Sequence, residues 1–110
     1  MTTTNAQAKI NEIQAIYKQW LELSQKLEQA HQDLVKSTQL MQQLETFYFE
    51  GEYSELYEQI ENGLDVDLTT SGEYSVMSED TLWNAFHEHQ SLLWQNLRFA
   101  VKHLDKADDE

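Results

Sequence analysis

The segment His87-Glu88-His89 is where this sequence comes closest to metal chemistry, since it sets two imidazoles and a carboxylate side by side. Zinc-dependent hydrolysis needs two histidines four residues apart on one helical face, with a glutamate between them as base. Here the histidines are two apart, so a helix turns them toward nearly opposite sides. Asp65, Asp67 and Thr69 resemble the opening of a calcium-binding loop. Such a loop requires glycine at its sixth position and glutamate at its twelfth, whereas Thr70 and Val76 stand there. Glu52, Glu55 and Asp65 supply carboxylates for acid–base work, but carboxylates are common throughout this chain. No serine or cysteine nucleophile motif, glycine-rich phosphate loop or cluster of cationic anion ligands accompanies them. The expectation is a non-enzymatic protein with no catalytic residue, no metal site and no cofactor.

The charge distribution says more. The 110 residues carry 20 acidic and 7 basic side chains, a formal net charge of −13. Between Ser37 and Leu97 there is no lysine or arginine, and twelve carboxylates fall in that span. Lys9, Lys18, Lys26 and Lys36 lie ahead of it, and Arg98, Lys102 and Lys106 follow. Nucleic-acid binding works by releasing counterions from phosphates with clustered cations, so direct binding to nucleic acid is not expected. Anionic membrane surfaces are disfavoured on the same ground. A dense negative surface suits solubility, or recognition of a basic protein partner.

The elements that must position these groups are helical. Ile13, Trp20, Leu27, Leu34, Met41 and Tyr48 recur every seven residues, and Ile16, Leu23, Ala30, Ser37 and Leu44 follow three residues after the first five. Ten of these eleven positions are apolar or aromatic, as a coiled-coil-like helix requires. The spacing predicts one long helix over 5–50, capped by Asn5 or a nearby threonine and closed by Gly51. Ile10, Tyr17, Leu21, Val35, Leu40 and Phe47 widen the stripe. Tyr53, Leu56, Tyr57 and Ile60 predict a short helix over 52–62, with Gly63 beyond it. Within 64–77, Leu64-Asp65-Val66-Asp67-Leu68 alternates strictly, Thr69-Thr70-Ser71-Gly72 reads as a turn and Glu73-Tyr74-Ser75-Val76 alternates weakly, which leaves open a small hairpin or an extended loop. Ser78 reads as the N-cap of a last helix over 78–104, with Glu79 and Asp80 in its first turn. Residues 105–110 form an acidic tail. The predicted class is therefore all-α: a single helical domain over 1–110, with the last helix packed back on the long first one.

A helix of roughly 46 residues is ~69 Å long, and one of roughly 26 is ~39 Å. The short helix cannot cover the whole stripe of the long one, and a second copy of the chain can cover the rest. A homodimer with antiparallel long helices is the expectation, together with an unidentified protein partner of basic character. The residues singled out for that contact are Phe49, Tyr53, Tyr57 and Phe99, with the carboxylates Glu55, Glu58, Asp65 and Asp67. A competing reading is an acidic decoy that occupies a nucleic-acid-binding protein in place of its nucleic acid. No stretch approaches the ~18 consecutive apolar residues of a membrane helix. The opening Met1-Thr2-Thr3-Thr4-Asn5 lacks the basic and apolar parts of a secretory signal, and there is no cysteine. A cytoplasmic setting is the expectation.

Phe47-Tyr48, Gly51-Glu52-Tyr53 and Val76-Met77-Ser78-Glu79-Asp80 together make the chain similar to a family of small bacterial proteins of unknown function. The resemblance covers about residues 9–104. It implies the same layout: a long amphipathic helix, an aromatic pair, a glycine turn followed by an aromatic, and a Ser-Glu-Asp helix start. It also implies a bacterial, cytoplasmic setting. Glu73, Tyr74 and Ser75 depart from it, standing where members often carry a basic residue and a glycine.

Overall fold

A computed structural model describes residues 2–105, and the acidic tail beyond Asp105 lies outside the described residues. The order is α1 (Thr3–Phe49), α2 (Glu52–Glu61) and α3 (Thr81–Leu104), with no strand among the described residues. The chain divides into two compact units, Met1–Gln39 and Leu40–Glu110. No described helix is long and apolar enough to cross a membrane.

Helix α1 runs for 47 residues without a glycine or proline to interrupt it. Of the two expected caps, Asn5 or a nearby threonine, the structure uses a threonine, Thr2: the Asn5 amide donates to Thr2 Oγ1 at 3.1 Å, and the Ala6 amide to the Thr2 carbonyl at 2.9 Å. A threonine hydroxyl three residues ahead of an orphan amide is ordinary capping geometry. In the first unit the apolar stripe lies open. Trp20 is 57% exposed and Leu27 66%, and Ile10, Ile13, Ile16 and Leu23 are each half exposed or more.

The second unit holds the core. Gly51 turns the chain from α1 into α2 with φ 102°, a left-handed conformation that glycine adopts without a Cβ penalty. Helix α2 closes as its sequence predicts. The Leu64 amide reaches the Gln59 carbonyl at 2.9 Å and the Gly63 amide the Ile60 carbonyl at 3.1 Å, while Gly63 sits at φ 101°. These two bonds and the left-handed glycine form a Schellman closure. Residues 64–70 then run without regular structure and 71–73 form a bend. The hairpin alternative does not form, since Leu64–Leu68 has no second strand to bond with.

The start of α3 differs from the sequence expectation. Helix α3 begins at Thr81 with Asp80 at its cap position, and no side chain caps it. Ser78 belongs to the approach: its amide bonds to the Ser75 carbonyl at 3.0 Å, and its own carbonyl accepts from the Thr81 amide at 3.3 Å. The Met77 amide donates to Ser75 Oγ at 3.2 Å. Bonds of i to i+3 type wind this stretch more tightly than an α-helix, so Glu79 and Asp80 stand just ahead of the first turn rather than in it. Leu82, 3% exposed, is the buried core residue among those described. In the same unit Met41, Leu44, Phe47, Tyr48, Leu56, Ile60, Met77, Ala85 and Phe86 are half-buried. Helix α3 packs on the last turns of α1 through Phe86, whose ring centre lies 5.4 Å from those of both Tyr48 and Phe49.

Candidate protein-interaction surface

The aromatic residues of the second unit gather at the Gly51 corner. Tyr48 is the hub: its ring centre is 4.9 Å from Phe49, 4.9 Å from Tyr53 and 5.4 Å from Phe86. Tyr53 meets Phe47 edge-on at 6.1 Å and stacks on Tyr57 at 6.1 Å. Edge-to-face and offset contacts at these spacings are the favoured aromatic geometries. Three of the residues singled out from sequence, Phe49, Tyr53 and Tyr57, therefore lie in one cluster. Their exposures differ. Phe49 is 62% exposed although one side of its ring rests on Phe86, Tyr57 is half-exposed, and Tyr53 is half-buried.

Tyr53 also donates its hydroxyl to the Met77 carbonyl at 3.2 Å. Its pKa is raised above the usual tyrosine value, first by desolvation and then by the neighbouring Tyr48, Tyr57, Glu79 and Asp80. Burial and negative neighbours both oppose a phenolate. Phe99 does not join the cluster. It lies on the far part of α3, 68% exposed, with its ring centre 4.4 Å from that of His103.

Glu55 and Glu58 are exposed on α2, and Asp65 and Asp67 are exposed in the following loop. Asp67 turns its carboxylate inward on its own backbone, accepting the Thr69 amide at 2.8 Å. That bond, with a second one from the Thr69 side chain, holds its pKa below the usual carboxylate value. Asp67–Thr69 is thus an Asx turn, in which aspartate closes a local loop. His87 packs edge-on to Trp83 at 4.7 Å, and His89 is half-buried. Among the described residues, no group of three or more His, Cys, Asp or Glu side chains could hold a metal ion.

One feature went unread in the sequence. Tyr74, Ser78, Glu79, Asp80, Thr81, Asn84 and Glu88 line an open hollow at the start of α3. Asp80, Asn84 and Glu88 follow one another at intervals of four, which was the available signal, since that spacing keeps side chains on one helical face. Tyr74, 84% exposed, stands at its side. A second, apolar groove on α3 is lined by Gln90, Leu93, Trp94 and Leu97, and the Arg98 guanidinium lies 5.7 Å from the Trp94 ring centre.

Fold and surface define an all-helical protein with an aromatic–glycine corner, a carboxylate-lined hollow and long exposed apolar stripes. Residues 10–99 match the family described as domain of unknown function DUF4298. The chain belongs to that family, as its resemblance to a family of unknown function implied. No curated protein and no solved structure matches it.

Proposed function

We propose that this protein is a non-enzymatic helical interaction module that associates with itself, as a homodimer, and with a protein partner. The observation that supports this most is the open stripe of α1, where Ile13, Ile16, Trp20, Leu23 and Leu27 recur at heptad spacing, flanked by Ile10, and are all half exposed or more. Contiguous apolar surface on that scale marks a protein contact, and heptad spacing suits a second helix. The aromatic corner around Phe49 and Tyr57 supplies a further contact surface, and the exposed Glu55 and Glu58 lie on the same short helix as Tyr57. The absence of cysteine suits a reducing cytoplasm, and the family resemblance suits a bacterial one. Sedimentation equilibrium tests the self-association: a mass of about twice 13.0 kDa at micromolar concentration supports it, and 13.0 kDa throughout refutes it.

The hollow lined by Glu79, Asp80 and Glu88, within a span free of lysine and arginine, favours one second reading. There the acidic surface occupies the basic site of a nucleic-acid-binding protein. Competition separates the two: nucleic acid displaces a decoy from its partner and leaves a partner held by the apolar stripe in place.

A further inference from the structure

We infer that the first part of α1 pairs with the same segment of a second copy, antiparallel, with the two-fold axis crossing at the level of Lys18. This rests on the self-association reading and adds its direction and register.

The exposed stripe fixes what can be covered. Ile13, Trp20 and Leu27 occupy the first core position of successive heptads, Lys9, Ile16 and Leu23 the second, and all five apolar residues are at least half exposed. Further along, Leu34, Met41 and Leu44 are already half-buried in their own chain. A pairing that uses the open surface must therefore centre ahead of Leu34.

Flanking charges fix direction and register. In a parallel pair in register, Glu12 faces Tyr17 of the second copy, Gln19 faces Ser24 and Lys26 faces His31, so no opposite charges meet and Trp20 lies on its own copy. In an antiparallel pair each core residue meets the other type of core position, and the flanking residues Glu12, Gln19, Lys26 and Asp33 face one another. With the axis at Lys18, Ile13 meets Leu23 of the second copy, Ile16 meets Trp20, and the Lys9 stem covers Leu27. Glu12 then lies beside Lys26 on both sides of the axis, and Gln19 beside Gln19. Moving the second copy one heptad along sets Glu12 against Asp33 twice, and one heptad more sets Lys26 against Lys26. A further step pairs Lys26 with Asp33 but draws in the half-buried Met41 and Leu44. The register at Lys18 is thus the one that joins opposite charges on the open part of the stripe.

The surface of α1 carries an independent mark. Lys9, Ile10, Ile13, Gln14 and Tyr17 line an apolar groove along the helix. In this register the Leu23 side chain of the second copy lies over that groove. Within each helix Lys9 Nζ stands 3.4 Å from Glu12 Oε2, an exposed pair that leaves Glu12 free to reach a second cation.

The chain has no cysteine, so single spin labels can be placed at will. Asn11→Cys, Lys18→Cys and Gln25→Cys each label the outer face of α1, where all three residues are exposed. In the inferred pair the Lys18 labels are level with each other, and the Asn11 and Gln25 labels are each offset along the axis by about 21 Å. Pulsed dipolar spectroscopy then gives its shortest distance at Lys18 and equal, longer distances at Asn11 and Gln25. Equal distances at all three positions mean a parallel pair, and a shorter distance at Gln25 than at Asn11 means another register. Either overturns the inference while the dimer stands. Absence of dipolar coupling overturns the self-association itself. In the unlabelled protein, Glu12→Lys or Lys26→Glu alone raises the dissociation constant roughly tenfold and the double exchange restores it; a double exchange no better than either single change contradicts the pairing.

Discussion

The Tyr53 hydroxyl donates to the Met77 carbonyl at 3.2 Å, joining residues 24 apart in sequence. This bond ties α2 to the turn that leads into α3, so the irregular stretch between them is closed at both ends. Tyr53→Phe removes the donor and leaves a part-buried carbonyl without it, at a cost of about 1 kcal/mol. A urea titration reads this as a lower midpoint with an unchanged slope.

The same residue sets an alkaline limit. Its pKa is raised in the fold, so folded protein holds the proton more tightly than unfolded chain does. The stability this contributes is complete below the unfolded value near 10 and is lost as pH rises through the folded one. Tyr53→Phe should flatten the fall in unfolding free energy above pH 10 relative to wild type. Identical slopes in both proteins would show that Tyr53 is not the group concerned.

Asp67 gives an acidic counterpart on an exposed turn. Its lowered pKa comes from the Thr69 amide and then the Thr69 side chain, so the turn is held above the unfolded carboxylate value and released as pH falls through the folded one. In an NMR titration the Thr69 amide shift should follow the Asp67 carboxyl, with a midpoint below the usual aspartate value. Asp67→Ala should abolish that dependence.

Leu82→Ala opens a cavity at the one buried core residue among those described and should cost about 3 kcal/mol in the stability of the second unit. Leu27→Ala makes the contrast. Leu27 is 66% exposed, so its truncation should leave the helical signal of dilute protein unchanged while weakening association at high concentration.

Gly51→Ala isolates the corner. A Cβ there meets no atom within 4 Å, so its penalty is the left-handed backbone alone, about 1 kcal/mol. Gly51→Asn should cost less, because asparagine tolerates that conformation better. Thermal unfolding followed by circular dichroism ranks the three proteins.

Much of this architecture was legible because it rests on local rules. The heptad from Ile13 to Tyr48 and the closing glycines at 51 and 63 require only helical periodicity and a left-handed turn residue. Ser78 misled because a capping serine and a serine in a tight approach look alike, and only the Ser75 bonds to Met77 and Ser78 decide between them. The 64–77 stretch was ambiguous because alternation is not pairing. At the surface, the clustering of Tyr53 and Tyr57 near Phe49 was readable from their closeness across Gly51. The contact between Phe49 and Phe86 was not, since it joins residues 37 apart through packing. The hollow bounded by Tyr74 and Glu88 likewise needs the loop to be folded before its residues meet.

Sedimentation equilibrium of wild type beside Trp20→Glu tests the central claim most directly. Trp20 is a solvent-exposed core position of the stripe, so glutamate there does not disturb the fold of a lone chain. Self-association through the stripe requires a mass of about twice 13.0 kDa for wild type at micromolar concentration and 13.0 kDa for the variant. Wild type at 13.0 kDa across the whole concentration range, or a variant that associates as tightly as wild type, would contradict it.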